Sequence, residues 1–469
     1  ILACEAPGDP GVERHGFAAK ADVDIRRSLV VTEQPILARF SFERVMNQLV
    51  AQSGVPGLTA GELFTQWWDT QNASPGKGLG PNCDTVLDSN GQPAINDYPY
   101  DCPRGEGAEA DSDPFTAPET NPGAYVPIGL FNRFDLAPAG GSNCGEHRIV
   151  YARRSGMDLT QNHRNLLIFE ATLPNPHVRQ GLKGCHKIAK FWADLTKEDN
   201  IDRRADDLEH FYFEGIANVP AVVHLDHYGA GPTGVGQIRS NQFMNLRPGD
   251  VTPKLWTLRE FKMQKICAGG ACTALKIVPV SDETNPFGPL FSPAGIHAQT
   301  AAFQEHFLTQ VVGLATGSIT GINFKVPNAF NTGQSHASAA SNQNQYLVQL
   351  GAGDSAFRTA IAAAIPADSG LAVDDIVLRA QALSCAGCHR LNNNVPIGGT
   401  LVWPPSLGFT HVTERETEDA GGGMTRFRIS LALLDVFLPK RKQVLDDFMN
   451  DKPPNAKNPK DPIGGRRVH

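Results

Sequence analysis

No run of the 469 residues approaches the roughly 20 consecutive apolar positions that a membrane-spanning helix needs. No transmembrane segment is expected. A surplus of positive charge is missing too: 42 Lys and Arg face 49 Asp and Glu, for a net charge of −7 and a pI near 6.1. A mildly acidic protein has no general electrostatic attraction for nucleic acid, so no nucleic-acid partner is expected. G-x-S-x-G, the phosphate-binding loop and the dinucleotide fingerprint are absent, and no internal repeat is found. Charged residues, at 19%, are too few for a disordered chain, and 41% apolar residues suffice for a sizeable core. The length suggests two or three domains at about 150 residues each. The 46 Gly and 34 Pro argue for many turns and long ordered loops rather than a helical bundle.

Nine cysteines are present. Cys385 and Cys388 belong to one motif, treated below. Six others fall into neighbour pairs: Cys83 with Cys102, Cys144 with Cys185, and Cys267 with Cys272, the last flanking Ala-Gly-Gly-Ala. Such disulfides persist in oxidising compartments and suggest export, to a bacterial periplasm or to the cell surface. The start at Ile1 fits removal of a signal peptide. Cys4, in Ile-Leu-Ala-Cys, resembles the end of a bacterial lipoprotein signal, so a lipid anchor there is one reading and an unpaired terminal cysteine the other.

Residues 1–30 read as an irregular lead-in. Helical spacing follows at Ser41 to Ser53, and Thr59 with Glu62 forms a capping box for a second helix. Residues 72–123 are a polar loop that Cys83 and Cys102 would tie down. From Tyr125 the pattern turns to β-like runs: 125–134, 147–153, 165–172, 221–228, 237–243, 255–263 and 274–280, with a helical insert at 187–213. The helical period returns at 296–312, 344–350, 355–364 and 373–384, and over 430–449 with a break at Pro439. The fold class expected is α+β. A domain built on antiparallel sheet with helical inserts (31–290) leads through a helical connector (291–350) to a mainly α-helical region (351–450) and a flexible basic tail (451–469).

Chemistry concentrates in Cys385-Ala-Gly-Cys388-His389. This is the C-x-x-C-H spacing of covalent haem attachment, in which two thiols on one turn add to the two vinyl groups and the adjacent histidine takes the iron. Ala386 and Gly387 are small enough to admit a porphyrin edge. A zinc knuckle would need further ligands, and no second C-x-x-C exists. A thioredoxin-like dithiol expects the pair to open a helix, whereas here a helix precedes it.

Over residues 351–450 the chain resembles a mono-haem c-type cytochrome: a helix leading into C-x-x-C-H, an irregular wrap and a terminal helix. The resemblance implies one covalent haem c held by Cys385, Cys388 and His389, with a second axial ligand from the intervening loop. His411, in Gly-Phe-Thr-His-Val, is favoured for that position. Met424, after Gly421-Gly-Gly, is the alternative, and an open site is the third possibility. The choice matters, because a Met ligand raises the reduction potential and an open iron favours peroxide or oxygen chemistry. One-electron transfer with a redox partner protein is expected first. A haem peroxidase or oxygenase is the alternative, and a structural or surface-assembly protein in which copies self-assemble is the third reading.

Weaker constellations remain. Cys185-His186 looks like half a haem motif, but the disulfide with Cys144 accounts for it better. His224, Asp226 and His227 could share a metal only if strand alternation allowed it. Asp88, Asn90, Asp97, Asp101, Asp111 and Asp113 offer oxygen ligands for Ca²⁺ without the EF-hand spacing.

Overall fold

The computed structural model describes residues 21–159, 163–231, 233–243, 256–337, 343–454, 456 and 458–465. The alternating apolar runs pair into an eight-stranded antiparallel sheet. Its strands are β1 (Val30–Val31), β2 (Tyr125–Arg133), β3 (Asn143–Arg153), β4 (Asn165–Pro174), β5 (Gln237–Gln242), β6 (Thr257–Ala268), β7 (Ala271–Val280) and β8 (Ser335–His336). Their order is β1-β2-β3-β4-β5-β6-β8, and β7 folds back on β6 beyond β8. The three predicted cysteine pairs, Cys83–Cys102, Cys144–Cys185 and Cys267–Cys272, lie at disulfide-bonding distance.

One sheet face is covered by helices α1 (Phe42–Ser53) and α2 (Ala60–Asp69). The Ser41 hydroxyl accepts from the Arg44 amide to start α1, and Gly54 at φ 68° ends it. Both bonds of the Thr59–Glu62 capping box are made. Phe42 of α1 meets Tyr151 and Phe169 of the sheet at 5.1 and 6.2 Å between ring centres, and Trp67 of α2 meets Phe169 at 6.1 Å. Helices α3 (His186–Asp194) and α4 (Ile201–Phe213) extend this layer, with Trp192 donating to His147 at 3.0 Å.

The C-terminal half supplies α5 (Thr300–Leu314), α6 (Val373–Ala382), a hairpin of β9 (Val412–Gly421) and β10 (Met424–Ile429), and α7 (Leu438–Met449). Buried apolar residues from Val23 to Ile463 form one large cluster, and Trp256, Leu258, Ala337, Cys385 and Ala386 form a second, smaller one.

Several local expectations are corrected. Residues 221–228 form no strand: Val222 and Val223 N–H bond to Phe211 O and Tyr212 O at the end of α4, His224 N–H bonds to Val222 O and His227 N–H to His224 O, and Leu225–Tyr228 is a 3₁₀ turn. The lead-in is ordered from Asp24, which caps a short helix (Ile25–Ser28), and Val30 and Val31 pair with Phe131 and Leu130. Pro439 does not break the last helix. It occupies the first turn of α7, where a missing N–H costs nothing, and a π-turn (Ala432–Phe437) runs straight into it. The region expected to be mainly helical carries the β9–β10 hairpin. In the tail, Ile463 is buried, Ala139 N–H bonds to Asp461 O, and Pro462 bridges Pro138, so residues 461–463 lie against the body of the fold. Cys4 lies outside the described residues.

Candidate haem-attachment site

Helix α6 ends at Ala382, and after a bend at Leu383 and Ser384 the chain re-enters a helical turn at Cys385 and Ala386 that passes into a π-turn over Gly387–Leu391. The Ala386 N–H donates to Ser335 Oγ at 2.9 Å and the Gly387 N–H to Ser384 Oγ at 3.1 Å, which tie the motif to β8 and to the end of α6. Gly387 has a packing reason of its own: a Cβ there would stand 1.8 Å from the Gln381 carbonyl oxygen. Both thiols are buried and unbridged. Cys385 packs with Trp256, Leu258 and Ala337, and burial pushes its thiol well above the ordinary range, with Asp282 adding to the effect.

His389 follows on the same turn and is buried. Its Nδ1–H donates to the Phe409 carbonyl at 2.7 Å, and its ring lies at 28° to Trp256 with 5.3 Å between centres. Burial lowers its pKa to about 4, so the ring is neutral near pH 7 and Nε2 carries a lone pair. His411, just before β9, stands 4.8 Å from His389 between ring centres. Its Nδ1 pairs with Ser430 Oγ at 2.8 Å and its Nε2 lies 3.4 Å from Cys388 Sγ. Burial first, then His389 and Arg441, holds its pKa well below the usual histidine value.

Both histidines line a cavity against the sheet face opposite α1 and α2. The space between protein atoms there is about 590 Å³, a volume that includes open solvent at its mouth. Strand register builds its floor. Val150, Ile168 and Arg239 form one cross-strand row, and Phe131, Arg148 and Glu170 the next. Leu166, Leu258 and Leu433 add apolar wall. The buried charges are paired: Arg133 with Asp135 at 2.9 Å, Arg148 with Glu146 and Glu170 at 2.6 and 2.9 Å, and Arg239 with Glu170 and Glu260, both at 2.9 Å. Arg133 Nη1 is a buried donor in the cavity wall with no hydrogen-bond partner among the described residues.

These residues fit a haem c. Two adjacent thiols, an imidazole with its Nδ1 bonded to a carbonyl as ligating histidines usually are, a cavity whose apolar side chains alternate with paired charges, and a guanidinium nitrogen without a partner among the described residues suit the parts of an iron porphyrin with carboxylate edges. Among the described residues, no three His, Cys, Asp or Glu side chains converge to hold a bare metal ion.

The other predicted positions separate from this site. Met424 pairs with Gly421 at the tip of the β9–β10 hairpin and does not line the cavity. His227 Nδ1–H donates to Val222 O at 3.2 Å, while Asp226 lies 3.9 Å from His224. Of the acidic loop residues, Asp88 and Asp113 cap local turns, Asp111 pairs with Lys77, and Asp101 faces His336. Sequence reasoning missed Trp256, Ser430 and the buried arginines. Only the arginines left a trace, as charges at alternate positions inside otherwise apolar strands.

No protein-family profile, curated protein or solved structure matches the chain. Among the described residues no helix is long and apolar enough to cross a membrane.

Proposed function

We propose that the chain is an extracytoplasmic c-type haem protein that passes single electrons to and from a redox partner protein. Cys385 and Cys388 would hold the haem as thioethers, and His389 and His411 would supply nitrogen to its iron. The carrying observation is the disposition of the two histidines: each has Nδ1 engaged, by Phe409 O and by Ser430 Oγ, and each lines the same cavity. Bound there, haem would supply a one-electron couple. The chain's part is to orient and to exclude water. Trp256 and the Phe409 carbonyl fix the His389 ring, and the apolar wall of Leu166, Leu258 and Leu433 keeps water from that side of the cavity. The raised Cys385 pKa argues against a redox dithiol, whose attacking sulfur needs the opposite shift. The three cysteine pairs are compatible with an oxidising compartment.

Oxidised and reduced absorption spectra with intact mass test this reading. The expected result is one haem added covalently, lost in Cys385→Ala/Cys388→Ala, with six-coordinate iron in both states. Colourless protein with those thiols free or bridged to each other overturns it. A resting high-spin spectrum with rapid peroxide reduction would instead establish the enzymatic alternative.

A further inference from the structure

We infer that the Cys388 thiol keeps His411 from serving as a ligand, so that His411 is released only when that thiol has become a thioether. The inference rests on the haem reading above and adds an order of events to it.

The His411 ring is held at both nitrogens. Ser430 Oγ accepts the Leu433 amide at 3.2 Å and stands 2.8 Å from His411 Nδ1, while the Ser430 amide donates to His411 O at 2.9 Å. With Nδ1–H donated to Ser430, Nε2 is left as an acceptor, and Cys388 Sγ lies 3.4 Å from it. A thiol is a weak donor and a weaker acceptor, so this tautomer, with S–H pointing at Nε2, is the better match. An Nε2 that accepts a hydrogen bond from the thiol has its one lone pair engaged and cannot give it to iron at the same time. The spacing agrees. Two imidazoles on opposite sides of one iron need about 6 Å between ring centres, from two bonds of about 2 Å and the ring radii. His389 and His411 stand at 4.8 Å, so His411 must move before both can ligate.

Alkylation removes the restraint without any oxidant. Across each vinyl group the carbon–carbon π bond breaks, sulfur bonds to one carbon, and the thiol hydrogen ends on the other. Afterwards Cys388 has no proton to donate, and His411 Nε2 is free. Cys385, packed against Trp256, Leu258 and Ala337, meets no imidazole among the described residues in the way Cys388 meets His411, so the two sulfurs are unequal.

Iron mesoporphyrin IX, which carries ethyl groups in place of vinyls and cannot be alkylated, separates the two states. Added to the full chain isolated without covalent haem, it is expected to give five-coordinate high-spin iron. Cys388→Ala is expected to convert the same complex to six-coordinate low-spin, and Cys388→Ala/His411→Ala to restore the high-spin form. Cys388→Ser, which keeps a donor, is expected to stay high-spin and so guards against a loosened fold as the cause. Low-spin iron in the unsubstituted chain, or high-spin iron in Cys388→Ala, overturns the inference while leaving the haem reading standing. Failure of the mesoporphyrin to bind at all overturns both.

Discussion

His389 Nδ1–H donates to the carbonyl oxygen of Phe409 at 2.7 Å, and Phe409 makes that contact from a left-handed backbone conformation, φ 76°. A bulky residue there costs about 1–2 kcal/mol, which its neighbours sustain: Phe409 stacks on Trp256 at 5.8 Å and meets Phe243 edge-on at 5.9 Å. The strain and the aromatic contacts are separable. Phe409→Gly loses the contacts but relieves the strain, whereas Phe409→Ala loses the contacts and keeps it. Alanine is therefore expected to be less stable than glycine by about 1 kcal/mol, the reverse of the usual order. Urea unfolding of the two variants checks this, and equal midpoints would refute the strain.

Burial makes the fold acid-sensitive. His147 accepts from Trp192 Nε1, and its pKa is lowered to about 3, against about 6.5 in an unfolded chain. Below pH 6.5 the unfolded state takes up a proton that the folded state refuses until about pH 3, so stability falls as pH falls through that window. The slope is about 1.4 kcal/mol per pH unit for each such histidine. Asp282 acts in the opposite sense: burial raises its pKa, so its contribution is present at low pH and lost as pH rises through the raised value. In His147→Phe the loss of stability between pH 6.5 and 5 is expected to shrink by about 2 kcal/mol, although the variant starts lower because Trp192 loses its acceptor. An unchanged pH slope, read from urea midpoints, would place that titration elsewhere.

The disulfides differ in what they restrain. Cys144–Cys185 spans 41 residues with both cysteines fully buried, whereas Cys267–Cys272 spans 5 at the tip of the β6–β7 hairpin. Loop-closure entropy makes the first worth about 4 kcal/mol and the second about 2. Cys144→Ala/Cys185→Ala is thus expected to lower the unfolding midpoint clearly more than Cys267→Ala/Cys272→Ala. A larger loss from the hairpin pair would contradict the entropic account.

Cys83–Cys102 and Cys267–Cys272 are legible because each joins cysteines that bracket one loop or one turn, and short-range signals read well throughout. The caps at Ser41 and Thr59, the alternation in β2 to β4 and the helix before Cys385 all lie within a few residues of their cause. What escaped was non-local. Trp256 reaches His389 across 133 positions of sequence, and the Arg148–Glu170–Arg239–Glu260 ladder exists only once β3 to β6 are in register. His411 was picked out for its apolar surroundings, but its contact with Cys388 follows from how the segment before β9 folds back over the π-turn. Residues 221–228 failed for another reason: β-branched composition suggested a strand, yet Val222 and Val223 bond to the end of α4, and His224 and His227 bond within the segment.

Gly387 gives the sharpest test of the attachment turn. The sequence suggested that a small residue there would admit a porphyrin edge, but the close neighbour is backbone: an added Cβ would meet Gln381 O at 1.8 Å, Gln381 C at 2.6 Å and Ala382 Cα at 2.9 Å. None of these atoms belongs to a flexible side chain, so Gly387→Ala must displace the π-turn that carries Cys388 and His389. The cost is expected at about 2–3 kcal/mol, in the range for overpacking a tight core. Because the turn moves, the fraction of chains carrying covalent haem is expected to fall with it. Ala386→Gly supplies the control, since it removes a methyl group without adding a clash. It should cost about 1 kcal/mol, the usual penalty for glycine in a helical turn, and leave His389 in place. Intact mass and thermal unfolding of both variants decide the matter. Full haem loading in Gly387→Ala would mean that the turn tolerates the shift, and that the spacing of the two thiols does not depend on the wide turn seen here.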